Sequence, residues 1–387
     1  MRTLPQHRMK SDLIMLERVL YAVNLNPSQK YGSLEEQVFL MSAAVSQRGG
    51  LLIPVFTHEL PEKEQHRYRA VGLTATSLNL NQFNLSTLRR LLQLIDYHRM
   101  DVVHWNLYSP MNGYFTFLCF LRPKLRHYLT DHNSRSHAFT YPHSWPIDTF
   151  KKLMFRKYSK VLAVSDYVLS ELRRYNIWRN LGRYHHFVNT ERFQPNTTMR
   201  SDMRTSQGVE RSFVVLVVAH LIPEKGVDVA IRALKELPDH IVLWVIGDGP
   251  ERLALQRTAE SLGVHTRTRF CGLQTDVSPF MQTADCLVCP SVWEEAAGLV
   301  ILEALACGLP VIGSSVGGIP EFITPDQTGF LFPAGDHMAL AHRITQLCSS
   351  TPLWDNMRAQ ARAQAVTQFS HSSRISDAVA IYKTPDP

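Results

Sequence analysis

Short β-branched runs alternate with amphipathic stretches along nearly the whole chain, and that alternation leaves few folds open. Apolar runs of four to eight residues bounded by turn residues are strand length. When helical stretches separate them, the strands pair as a parallel sheet with helices on its faces. In the first half, residues 18–23 (RVLYAV), 50–56, 101–106, 127–132 and 160–165 have strand character. Between them, 35–47 and 87–98 have helical spacing. Leu88, Leu91, Leu92 and Ile95 share one stripe that Arg89, Arg90 and His98 avoid, which marks a core-facing side. A polar stretch without periodicity, 194–211, then interrupts the pattern and reads as a linker. A second series opens at 212–220 (SFVVLVVAH) and continues at 241–247, 266–272, 285–290, 310–314 and 329–333. The stretch from about 336 to 383 is mostly helical, with a break near 349–352.

A chain of 387 residues exceeds one ordinary core, so two domains are expected. The pattern predicts an α/β fold of two Rossmann-like domains with parallel sheets facing one cleft. Their spans are 1–195 and 212–365, with 196–211 as linker and 366–387 as a closing segment. Ligands of such sheets bind beyond the carboxyl ends of the strands. Residues 1–195 hold 26 Lys and Arg against 14 Asp and Glu, whereas 196–387 hold 15 against 20. The basic first half suits an anionic lipid surface or an anionic acceptor, or is simply a soluble basic surface. No apolar run reaches membrane-spanning length, and MRTLPQHRMK lacks the apolar core of a secretory signal. Cys286 and Cys289 form a lone C-x-x-C without a second pair at zinc spacing, which favours buried strand cysteines in a reduced, cytoplasmic setting.

The chemistry concentrates in loops that follow strands. In PSVWEEAAGLVILEALACGLP (290–310), Glu295 and Glu303 flank a small turn, Ala296–Gly298, that opens a helix. If the helix begins near Gly298, its free first amides and positive end would seat a phosphate. The two carboxylates would accept from hydroxyls. An ordinary surface helix with two solvated glutamates is the competing reading. In VVAHLIPEKG, His220 and Lys225 precede a helix and suit a diphosphate, unless the lysine is merely solvated. Gly249 in IGDGPERL permits close backbone approach, although this is not G-x-G-x-x-G. FCGLQ ends another strand, and GGIPE places Glu321 beside two glycines, suited to phosphate or sugar. In the first half, Gly32 of KYGSLEEQ lies between a strand and a helix and could approach phosphates across the cleft. His132 ends a strand, where a histidine is either structural or, in a cleft, handles sugar hydroxyls or protons.

Together these segments resemble the glycosyltransferases of family four, retaining nucleotide-sugar enzymes with the two-domain GT-B fold. The resemblance rests on VAHLIPEKG, GDGP, FCG, the 290–311 stretch and GGIPE in that order, and on GSLEE, KVLAVSDYVLSEL and FVNTERFQP in the first half. The terminal FSHSSRISDAVAIY resembles the family's closing helix, which crosses back onto the N-terminal domain. The resemblance implies that Glu295 contacts donor-sugar hydroxyls, Glu303 the ribose, and Gly298, Leu299 and Val300 the distal phosphate. It also implies that Lys225 counters the leaving diphosphate, that His132 lies near the sugar and that Leu273 lies near the base. The implied donor is a UDP- or GDP-sugar, with neither metal nor further cofactor. The implied acceptor is a lipid-linked saccharide or polysaccharide of bacterial surface glycan, such as lipopolysaccharide, exopolysaccharide or capsule.

Three departures bear on donor choice and turnover. His220 stands where the family usually has Arg, Ala297 where it has Phe, and His186, Phe187 and Asn189 replace an Asn-Gly and Asp. A GT-B-shaped binding subunit without turnover and a nucleotide-sugar epimerase are the alternatives. The basic, aromatic stretch FKKLMFRKYSK (150–160) reads either as lipid contact or as a helix packed on the sheet by Phe150, Leu153 and Met154. Nucleic-acid binding is disfavoured, since neither a helix-turn-helix nor a zinc module appears.

Overall fold

The computed structural model describes residues 16–27, 32–133 and 145–383. The first domain holds a seven-stranded sheet of β1 (Arg18–Val23), β2 (Leu51–Phe56), β3 (Thr76–Ser77), β4 (Val102–Asn106), β5 (Arg126–Asp131), β6 (Lys160–Ala163) and β7 (Leu181–Arg183). All are parallel in the order β3-β2-β1-β4-β5-β6-β7. Val19 of β1 stands opposite Leu52 of β2 and Val102 of β4, and all three are buried. The unbroken apolar runs of the inner strands follow from this, because helices cover both sheet faces.

The second domain repeats the plan with β8 (Phe213–Val218), β9 (Ile241–Ile246), β10 (Thr268–Gly272), β11 (Cys286–Cys289), β12 (Val311–Ser314) and β13 (Gly329–Phe332). These form a parallel sheet in the order β10-β9-β8-β11-β12-β13. Two Rossmann-like domains therefore face each other, as the alternation implies. The helices His337–Cys348 and Thr351–Gln364 meet at the anticipated break, and Ser350 caps the second. Cys286 and Cys289 are buried in β11, and burial pushes both thiols up, Cys289 to about 12. Neither is a thiolate at neutral pH, so both are core residues.

The closing helix, His371–Ala380, crosses back to the first domain. Tyr382 is buried in that domain's core, its hydroxyl 2.6 Å from His104 Nδ1 and its carbonyl accepting from Glu17 N.

The expected linker is corrected by the structure: Thr197–Gln207 is a helix. Its ends were legible, since the Asn196 side chain caps Met199 N and Gly208 takes φ +65 at the C-terminus. Its packing was not, because no apolar stripe runs along it. Arg200 and Arg204 instead grip Asp285, whose carboxylate also accepts from Val214 N at 2.6 Å. Asp285→Ala removes the carboxylate that two arginines and a strand amide share, leaving the arginines only carbonyl acceptors. We expect it to lower unfolding free energy by about 3 kcal/mol, as broken buried pairs do; urea unfolding measures this.

The helix Trp145–Phe155 also differs from expectation. Met154 and Phe155 are buried, whereas Phe150 and Leu153 are exposed, so the packing side is turned from the one anticipated. Among the described residues, no helix is long and apolar enough to cross a membrane.

Candidate functional site

In each sheet the strand order reverses direction beside a central strand, at β1/β4 and at β8/β11, and crevices open there beyond the carboxyl ends. The loop after β8 ends in a short turn, Pro223–Lys225, closed by Gly226 at φ +59. A Cβ on Gly226 would lie 2.2 Å from Pro290 O, so only glycine lets this loop meet the one after β11. Val292 N donates to Glu224 O at 3.0 Å and joins the two. Their approach brings Lys225 Nζ to 2.7 Å from Glu295 Oε1, which also accepts from Ser291 Oγ. Glu295 is held from behind as well, where its carbonyl accepts from Gly318 N at 2.7 Å.

This ion pair borders a cleft of about 570 Å³ between the domains. Gly32, His220, Lys225, Leu273, Glu295, Gly298, Leu299, Val300 and Glu303 all line it, so the structure brings most of the expected residues together. Two helices begin at its walls, Ser33–Gln47 after Gly32 and Leu299–Ala306 after Gly298. Both present the positive dipole end; Gly32 N already donates to Glu35 Oε2 at 2.9 Å, so the second helix start offers the amides that favour an anion. Glu303 is largely buried, and Ser33 Oγ donates to its carboxylate across the cleft. Asp248 and Arg192 also line the cleft and were missed from sequence; Arg192 pairs with Asp276 at 3.3 Å. The only sequence signal for Arg192 was its place in the FVNTERFQP segment.

His132 does not reach this cleft. It lines an adjoining cavity of about 640 Å³ that shares Lys225 and Glu295 with the first. Burial pushes its imidazole down to about 4 although Asp131 opposes the shift, so at neutral pH it is uncharged. Its ring lies 5.4 Å from that of His186.

Two expected site residues lie elsewhere. Gly249 borders neither cavity; a Cβ there would meet Leu221 O at 2.4 Å, so its role is to pack the turn after β9 against the 219–226 loop. Gly247 (φ +127) and Asp248 are the residues of that turn facing the cleft. Glu321 accepts from Asp166 N and Tyr167 N, each at 2.7 Å, and pairs with Arg183 at 3.2 Å. It thus caps a helix of the opposite domain, Asp166–Arg174, and ties the domains together rather than facing a ligand. Among the described residues, no cluster of three or more His, Cys, Asp or Glu side chains could hold a metal ion.

Comparison with known proteins places this geometry. The model described as Glycosyl transferases group 1 matches residues 199–364, and Glycosyltransferase Family 4 matches 38–192. N-acetyl-alpha-D-glucosaminyl L-malate synthase of Bacillus anthracis is 31% identical over 47% of this chain and 48% of its own. The lipopolysaccharide core biosynthesis glycosyltransferase LpsE of Rhizobium meliloti is 34% identical over 43% and 48%. The chain thus spans about half the length of these curated relatives. HepE of Anabaena, solved in complex with UDP-glucose, superposes with a TM-score of 0.79 at 20% identity, over 94% of this chain and 98% of that one, and shares the fold. Two family models thus cover most of this two-domain fold between them, the first domain matching Glycosyltransferase Family 4 and the second Glycosyl transferases group 1.

Proposed function

We propose that the protein is a retaining glycosyltransferase that moves a sugar from a UDP- or GDP-sugar to a saccharide acceptor in bacterial surface glycan synthesis. The observation that carries this reading is the Lys225–Glu295 pair, 2.7 Å apart at the β8/β11 switch point and bordered by two helix N-termini. The diphosphate would lie against the amides of Gly298, Leu299 and Val300, with Lys225 on its bridging side. Glu303 would exchange its Ser33 partner for ribose hydroxyls. Glu295 would accept from hydroxyls of the transferred sugar, which leaves Lys225 free to follow the departing charge.

In the transfer step the bond from sugar C1 to phosphate oxygen breaks, and a bond from C1 to an acceptor oxygen forms on the same face. The acceptor proton passes to the released phosphate oxygen. The transition state places growing negative charge on the diphosphate, where Lys225 and the helix amides are already oriented. No protein base enters this step, because the leaving diphosphate itself takes the acceptor proton.

Relatedness to a lipopolysaccharide core glycosyltransferase supports a lipid-linked saccharide as acceptor. Phe117, Phe120, Phe150 and Leu153 are exposed on the basic first domain and support contact with an anionic membrane face from the cytoplasm. The test is release of nucleoside diphosphate from a panel of UDP- and GDP-sugars, with and without lipid-linked acceptor. Acceptor-stimulated release from one donor class is expected; none from any donor removes the assignment.

A further inference from the structure

Past the Lys225–Glu295 pair the second cavity opens, and the two spaces share Leu34, Ala297 and Leu299 besides the pair itself. Groups seated in the two spaces can therefore meet at the pair. Both domains build the second cavity, with His132 and His186 from the first and Glu224, Trp293 and Glu294 from the second.

The charges on its wall are unbalanced. Lys225 is engaged by Glu295, while Glu224 and Glu294 have no hydrogen-bond or ion-pair partner for their carboxylates among the described residues. The imidazoles add no positive charge, since burial pushes His132 down to about 4 and His186 well below the ordinary histidine value. His186 is 4% exposed, and its Nδ1 lies 2.9 Å from Gln37 Oε1. A carbonyl oxygen carries no proton, so Nδ1 donates and Nε2 is left as an acceptor. An indole, an imidazole acceptor and two carboxylates are the chemistry that holds hydroxyl groups on an otherwise apolar ring. The same set repels an anion.

We propose that this cavity seats the terminal sugar of the acceptor and selects a sugar without negative charge, neutral or amino, over one bearing phosphate or carboxylate. Trp293 covers the apolar face of that sugar, and Glu224, Glu294 and His186 take its hydroxyl protons. The inference rests on the transferase reading above and extends it to acceptor choice.

The test compares two synthetic acceptors with the full-length chain and its best donor, an alkyl hexoside and the same hexoside carrying a 6-phosphate. The neutral acceptor is expected to have the higher kcat/KM by about tenfold or more, since like charges brought together in a closed site oppose binding. The double variant Glu224→Gln with Glu294→Gln should bring the two acceptors close to parity. Trp293→Ala should raise KM for the neutral acceptor about tenfold more than KM for the donor, a split that general loosening of the fold does not produce. Equal use of both acceptors by the unaltered protein, or a ratio untouched by the double variant, overturns the inference. Nucleoside diphosphate release without acceptor separates the two levels. Release combined with a charge-blind acceptor profile sinks the acceptor site alone, and no release under any condition sinks the transferase reading with it.

Discussion

Lys225→Ala is expected to lower the transfer rate by about 10²- to 10³-fold, the cost of removing one preorganised charge from a developing anion. The loss should fall mainly on kcat. In the ground state Lys225 is shared with Glu295, and only bond cleavage makes the diphosphate the stronger partner. Glu295→Ala should reduce transfer by a similar factor for a different reason, since it removes the hydroxyl acceptor and releases Lys225 from its resting position. Because each residue holds the other, the double variant should lose little more than either single one. Glu295→Gln distinguishes charge from hydrogen bonding and should retain more activity than Ala. Steady-state kinetics on the four proteins checks all of this, and full activity in both alanine variants would remove the pair from the chemistry.

The second large effect is acid unfolding of the first domain. His104 and His127 are buried in its core, and burial holds them at about 3 and about 4. Their unfolded value is near 6.5, so between pH 6.5 and pH 4 the unfolded chain binds protons that the folded one refuses. Stability therefore falls as pH falls through that window, by about 1.4 kcal/mol per pH unit for each histidine and about 5 kcal/mol for these two together, to which the buried His132 and His186 add in the same direction. That is comparable to the whole stability of a typical domain. Glu17 opposes the trend, because burial raises its carboxyl and lets the folded state keep a proton. His127 supplies the cleaner test. Its Nδ1 accepts from the Trp105 indole N–H at 3.3 Å, while its Nε2 has no hydrogen-bond partner among the described residues. In His127→Phe the slope of unfolding free energy against pH should drop by about 1.4 kcal/mol per unit, whatever the change at pH 7. Urea titrations from pH 7 to pH 4 measure it, and an unaltered slope would show that His127 is not held neutral.

How far the sequence carried the fold depended on where each element draws its stability. The inner strands carry their own signal, as in Val19–Val23 and Val214–Val217, because burial on both faces demands unbroken apolar runs. Edge strands β3 and β7 have two and three residues, too few to show any period. The helix Thr197–Gln207 draws on Asp285, more than eighty positions from the arginines that grip it, so its own segment shows caps but no stripe. The site was legible where loops follow strands, which is why the residues flanking the Lys225–Glu295 pair emerged. Gly249 and Glu321 were misplaced because a glycine or a carboxylate in such a loop serves either ligand or backbone. Only the neighbours, Leu221 O for one and the amides of Asp166 and Tyr167 for the other, decide which. Ser33 became visible only once both domains were in view, since its partner lies across the cleft, and His186, noted in the sequence as a departure, gained its place only from Gln37 on another helix.

The central claim is that the cleft between the helix starts at Gly32 and Gly298 holds a nucleoside diphosphate. Backbone amide exchange reads this directly, because the first amides of the helix Leu299–Ala306 have no partner within that helix. Exchange measured with and without saturating UDP or GDP should slow at residues 298–300 and across the loop 219–226. Slowing confined to other segments, with 298–300 exchanging at the same rate in both states, would contradict the claim.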